Sequence, residues 1–410
     1  MFKNRSLNNF ARYALIISVI SISFLFSPRP GPDEDICAKY MPLGTHAGFM
    51  LNCDAAVFCM SAAEPAMLLD SGAVRQSRPL YVLAATAIGF PIQAVLGRLN
   101  VPIFHALGDR GTPYIGYYIA YVLMNIALLM LTLYLFEYII KKLTGNDINK
   151  WLLYAFSMFL VSNQLTKAFF WTAHQQFFAM FTPLFTIYLY LMIQEKGWAL
   201  QNKRIGWLSF MTGILMLCYG NFAPMFACIQ VAAWSTNRKI AIPAIIKNTV
   251  LFLLPSLSWV AICTIKNGHY YNSEIEKFHQ LMWIPASLHM SFSQFCSMFF
   301  GLIIAYLKTF AEPSFFIFAA IVLAMITKST KSFQKQALYP FYISFLVYFL
   351  FLFVLGYYKQ RLTFTLFPFL ICILLLQVNS IKSIRNKPYI FYLIVLGWHL
   401  YNVLSYGPFD

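Results

Sequence analysis

Charge is scarce in this 410-residue chain: only 11% of its residues are Asp, Glu, Lys or Arg. A soluble domain carries about 25%. Hydrophobic residues make up 60% and mean hydropathy is +0.65, which excludes a soluble enzyme, a disordered chain and a disulfide-rich secreted module. Acids are scarcer still, 14 against 30 basic residues, for a net charge of +16. Yet there is no run of five to eight Lys/Arg and no nucleic-acid motif, so nucleic acid is not an expected partner. Cys-x-x-Cys, His-Glu-x-x-His, a glycine-rich phosphate loop, low-complexity linkers and internal repeats are all absent. Strong metal motifs, P-loop chemistry and an inverted-repeat transporter lose support with them.

Long apolar blocks dominate instead. Their continuity favours membrane helices over alternating barrel strands. Eleven spans are expected near 10–27, 114–140, 151–167, 175–194, 205–219, 221–236, 247–265, 313–327, 339–357, 363–380 and 388–406. Stretches 80–97 and 291–308 are shorter and bring the range to 11–13. The expected fold is all-α, one polytopic membrane domain over residues 1–410.

Loop charge sets an expected orientation. With the N-terminus in the cytoplasm, each inner segment holds three basic residues: Lys3, Arg5, Arg12; Lys141, Lys142, Lys150; Lys196, Lys203, Arg204; Arg238, Lys239, Lys247; Lys328, Lys331, Lys335; Lys382, Arg385, Lys387. Of the 14 acids, only Glu137, Asp147 and Glu195 fall inside. Counting 80–97 alone as a span would flip every later loop, so 80–97 and 291–308 are expected as interfacial or re-entrant helices on the outer face. The C-terminus is then outside. The first block has a basic start but runs into Phe26-Ser27-Pro28-Arg29-Pro30, a poor cleavage site, so an uncleaved first span is expected.

Two long segments are outer, 28–113 and 266–312, and so are six of seven histidines: His46, His105, His174, His269, His279 and His289. The spans hold almost no ionisable groups away from their ends, which disfavours a proton-coupled pump. Chemistry is therefore sought at the outer boundary. There Cys37, Cys53 and Cys59 offer a Cys37–Cys53 or Cys37–Cys59 disulfide, or three free thiols. Asn52-Cys53-Asp54 reads as a helix start, Pro65 as a break near Glu64, Gly72 as a stop and Pro79 as the next start. The outcome is interfacial helices with an acid at one start and Arg75 and Arg78 between them.

This layout resembles the GT-C superfamily of membrane glycosyltransferases, which use polyprenyl-phosphate-linked sugars. The resemblance rests on the acid early in a long first outer loop and on Gly72-x-x-Arg75-x-x-Arg78-Pro79-Leu80-Tyr81. It also rests on Tyr358-Lys359-Gln360-Arg361 through Pro368, and on Lys141-Lys142-Leu143-Thr144-Gly145. Many members carry an acid in the second outer loop, where this chain reads Trp171-Thr172-Ala173-His174-Gln175-Gln176. The resemblance implies transfer of a sugar from a polyprenyl-phosphate donor to a saccharide, lipid or protein acceptor at the outer face of a cytoplasmic membrane, as in building cell-envelope polysaccharide. It fixes no cofactor and leaves a divalent metal open.

Such transfer needs a carboxylate to take the acceptor's proton and cations to stabilise the leaving phosphate. Asp54 and Asp35, the latter beside Asp33 and Glu34, are the candidate bases. Arg75, Arg78, His174, Lys359 and Arg361 are the candidate substrate-binding residues, arginine being suited to bidentate phosphate contacts. Tyr270, Tyr271, His279 and Trp283 are candidate sugar contacts. Each has a plainer explanation: a helix start for Asp54, a solvated turn for Asp33–Asp35, headgroup anchoring or snorkelling for the cations, and an interfacial belt for the aromatics. A lipid-linked saccharide flippase, a polysaccharide polymerase and a non-catalytic scaffold are the alternatives.

Overall fold

A computed structural model describes residues 2–29, 38–96, 114–310, 313–327 and 332–405. All eleven stretches expected to span contain helix, as do 80–97 and 291–308. Among the described residues, seven helices are long and apolar enough to cross a membrane, Pro79–Leu96 included. Many of their side chains are exposed apolar ones, such as Ile265 at 86%, and so is Phe292 at 82% on a shorter helix. Water would penalise such faces and lipid would not, so the protein is a helical membrane protein.

The chain divides into two compact units. The first comprises residues 1–65, 82–181 and 374–410. Its first helix, Phe2–Ser23, packs on the 29-residue helix Ile115–Leu143. The contact is fixed by Glu137, which is buried and accepts from Arg12 at 2.6 Å and from Lys141 at 2.9 Å. Two cations on one carboxylate offset the cost of burying it. Arg12 also donates to Tyr154 Oη at 2.8 Å. The first helix is thus built into the unit by side-chain contacts.

One segment departs from expectation in kind. The pattern of the long outer segment predicts interfacial helices alone, but an antiparallel hairpin, Ala38–Pro42 with Gly48–Asn52, precedes them. Helix Asp54–Ala63 comes next; Glu64 ends it, Pro65–Leu69 is a tight 3-10 turn, Gly72 is left-handed (φ 75°) and Pro79 starts helix Pro79–Leu96. The backbone obeys the punctuation of Pro65, Gly72 and Pro79.

A second departure lies at 151–167. It is two helices, Lys150–Val161 and Gln164–Phe169, because Ser162 and Asn163 leave helical geometry and the Asn163 side chain caps Thr166 N–H at 2.9 Å.

The second unit comprises residues 66–81 and 182–373. Helices Lys203–Met216, Phe222–Asn237 and Ile242–Asn267 pack together. A methyl group on Gly213 would overlap the Phe252 carbonyl oxygen, so this crossing requires glycine. The first two helices have 14 and 16 residues, about 21 and 24 Å, shorter than a hydrocarbon core of about 30 Å. Neither 205–219 nor 221–236 therefore reaches crossing length as a single helix.

Candidate active site

The first unit brings together two of the residues singled out from the sequence. Asp54 Oδ2 lies 3.6 Å from His174 Nε2. Asp54 opens helix Asp54–Ala63, with Cys53 as cap residue, and Asn52 Oδ1 accepts its backbone N–H at 2.8 Å. A carboxylate in the first helical turn is favoured by the helix dipole. His174 lies beyond the helix break and sits between the rings of Phe169 (centroids 4.7 Å) and Phe58 (6.0 Å). The imidazole is buried at 3% exposure, while the Asp54 side chain stays 35% exposed. Solvent or a substrate can therefore reach the carboxylate but not the ring behind it.

The frame is rigid for identifiable reasons. Asn52 N–H donates to Thr172 Oγ1 at 3.1 Å, linking the residue two before Asp54 to the residue two before His174. Asn125, buried in mid-helix, donates through its amide to the carbonyls of Phe169, Phe170 and Thr172 at 2.9–3.1 Å. Tyr118 Oη donates to Trp171 O at 2.7 Å and Tyr121 Oη to Phe58 O at 3.2 Å. Asn125 and Tyr118 thereby satisfy carbonyls in the stretch after the helix break.

Helix Pro388–Leu404 secures the other side of the break. Trp398 Nε1 donates to Ser162 O at 2.6 Å, His399 Nδ1 meets Ser162 Oγ at 2.7 Å, and Gln164 Nε2 donates to Ser405 Oγ at 2.8 Å. Lys167 Nζ donates to the Asn402 carbonyl at 2.9 Å and to that of Ser405, a cation at a helix C-terminus.

Of the other predicted site residues, Asp35 lies outside the described residues, as do Asp33, Glu34, Cys37 and His105. Cys53 is disulfide-bonded, whereas Cys59 is a free, fully buried thiol. The disulfide therefore excludes both the three-thiol reading and a Cys37–Cys59 pair.

The cations fall in the second unit. Arg75 is buried, at 3% exposure, in the turn ahead of helix Pro79–Leu96. Arg78 forms an ion pair with Glu274, whose second oxygen accepts from Gln280 at 3.2 Å. Gln76 ties this turn down. Its amide donates to Leu68 O at 3.0 Å and accepts from Tyr271 N–H at 2.8 Å, while its carbonyl accepts from Trp259 Nε1 at 2.7 Å. Burial, with the Glu274 carboxylate adding to it and Arg78 opposing, pushes the Tyr270 hydroxyl up to about 12.

Segment 278–283 is pinned in turn to 353–357: Leu281 N–H donates to Leu355 O at 2.8 Å and Trp283 Nε1 to Val354 O at 2.8 Å. His279 and Leu281 both have left-handed backbones, φ 52° and 64°, an uncommon state for non-glycine residues. Gly356 (φ 68°) lets Trp283 approach so closely that a methyl group there would overlap the indole ring. Lys359 caps the short helix Gln360–Thr363 that contains Arg361, and both are half-buried. Arg75, Arg78, Lys359 and Arg361 thus belong to one unit, connected through 271–283.

Sequence reasoning missed Glu274, Gln76, Asn125, Thr172 and Lys167. Only Lys167 carried a signal, as an ionisable group at the edge of an apolar block.

Among the described residues no group of three or more His, Cys, Asp and Glu could hold a metal ion, so no step is assigned to one. What Asp54 can do is accept a proton from a hydroxyl, with the buried imidazole 3.6 Å behind it. Comparison of the chain with protein-family models, with curated proteins and with solved structures finds no match to any of them.

Proposed function

We propose that the chain is a membrane glycosyltransferase of the GT-C kind, moving a sugar from a polyprenyl-phosphate donor to a saccharide, lipid or protein acceptor. The observation that carries this reading is the Asp54–His174 pair: a solvent-reachable carboxylate on a fixed helix start, backed by a buried imidazole. In the proposed step Asp54 takes the acceptor hydroxyl's proton as that oxygen bonds to the anomeric carbon. The bond from that carbon to the donor phosphate oxygen breaks, and the lipid phosphate leaves with the electron pair. Arg75, Lys359 and Arg361, all in the second unit, are proposed as contacts for anionic groups by residue type alone. The pairing of Arg78 with Glu274 gives that arginine a structural role first.

The expected orientation, N-terminus inside and 28–113 outside, belongs to this proposal. The three basic residues of each inner segment support it, and so does a disulfide at Cys53, since such bonds persist in oxidising compartments.

The test is transfer of labelled sugar from a panel of polyprenyl-phosphate donors by purified wild type and Asp54→Asn. Transfer by wild type and its loss in a folded variant support Asp54 as base. Equal transfer by both removes Asp54 from that role, and no transfer with any donor removes the transferase reading.

A further inference from the structure

One end of the first unit carries positive charge that the proposed reaction does not use. Loops 238 residues apart are joined there: both Arg385 guanidinium nitrogens donate to the Asp147 carboxylate. Asn149 Nδ2 donates to Arg385 O at 3.0 Å and Asn379 Nδ2 to Asp147 O at 3.0 Å. Both acids of this end are thereby engaged, Asp147 by Arg385 and Glu137 by Arg12 and Lys141. Lys150, Lys382 and Lys387 remain exposed, and none of them has an ion-pair partner among the described residues.

Two of the lysines stand beside an apolar surface. Lys150 Nζ lies 5.6 Å from the ring of Trp151, itself 53% exposed. Lys387 immediately precedes helix Pro388–Leu404, along which Tyr389, Leu393, Leu396, Leu400 and Leu404 form one stripe, 49–69% exposed. Spacings of three and four residues place these five on one helix face.

We propose that this end holds an anionic phospholipid. Its phosphate sits against Lys150, Lys382 and Lys387, and an acyl chain runs along the Tyr389–Leu404 stripe. Charge complementarity selects the occupant: a zwitterionic lipid satisfies the stripe equally well but leaves three lysines against a neutral headgroup. A soluble phosphate satisfies the lysines but leaves the stripe bare. Each lysine near an anionic headgroup contributes about a fivefold preference, so three give roughly 100-fold before salt screening. The inference is independent of the proposed reaction.

The test uses the full chain, purified in detergent, delipidated and titrated with phosphatidylglycerol or phosphatidylcholine, with bound lipid counted by native mass spectrometry. Wild type is expected to prefer phosphatidylglycerol by about 10- to 100-fold. K150Q/K382Q/K387Q should lose the preference while binding phosphatidylcholine as before. K239Q/K277Q/K308Q, which removes three exposed lysines elsewhere, should keep it. On wild type alone, raising salt should erode the preference, and excess glycerol 3-phosphate should not displace the lipid, so the test stands even where the triple variant misfolds. No preference in wild type, its survival in the triple variant, an equal loss in the control, or displacement by glycerol 3-phosphate would each overturn the proposal.

Discussion

Two charged residues, Asp54 in the first unit and Arg78 in the second, are held in opposite ways. In the first, Asp54 stays 35% exposed and meets its histidine at 3.6 Å, longer than a hydrogen bond. In the second, Arg78 is joined to Glu274 in direct contact, and both side chains are less than a quarter exposed. The Arg78–Glu274 contact is direct, whereas the Asp54–His174 contact is looser and leaves the carboxylate reachable by solvent. Around Asp54 the frame includes neutral donors on carbonyls, chiefly Asn125, Tyr118 and Tyr121. Around Arg78 it includes a buried glutamine and an ion pair.

The contrast is sharpest where it predicts opposite consequences. Asp54→Asn should lower sugar transfer by about 10²- to 10⁴-fold while the melting temperature holds, since Asn52 still caps the backbone. Asn125→Ala should do the reverse of a purely chemical defect. The three carbonyls that share its two amide hydrogens lose their donor at once, costing about 2–3 kcal/mol in denaturant unfolding.

These two residues also show how much is legible in sequence. Asp54 is legible because Asn-Cys-Asp ahead of an apolar run is a helix start, and the prolines at 65 and 79 punctuate the segment beyond it. Its partner is not: His174 is 120 residues away, and no local pattern specifies which turn faces which. Asn125 looks like an isolated polar residue in a 29-residue apolar helix, and its reason appears only when the break at Ser162–Asn163 supplies the carbonyls. The hairpin at 38–52 is hidden because short apolar runs fit a helix as well as a strand.

Glu274→Ala, in the second unit, should cost about 1–3 kcal/mol by leaving the Arg78 charge half-buried, and R78M/E274L should recover part of it. Gly356→Ala should cost about 1–2 kcal/mol, because φ 68° disfavours any side chain and Trp283 occupies the space.

The smallest effect is expected at Asp147. Hydrogen bonds from Arg385 hold its carboxyl below its ordinary value. The contact therefore contributes above the usual carboxylate range and is lost as pH falls through the lowered value, from about pH 4 downward. Amide exchange across 144–149 should rise in that window, more at high salt, and Asp147→Asn should remove the pH dependence.

The grip of residues 398–405 on the helix break has a consequence for biosynthesis. The carbonyl that Lys167 holds at Asn402 is synthesised 235 residues later, roughly 10–50 s at ordinary elongation rates. Through that interval the turn carrying His174 is already made while the helix that clasps it is still being translated. Fixing of the helix break is thus a late step, and nascent chains stalled before Pro388 should show proteolytic cleavage near Ser162 that disappears once the clasp is complete.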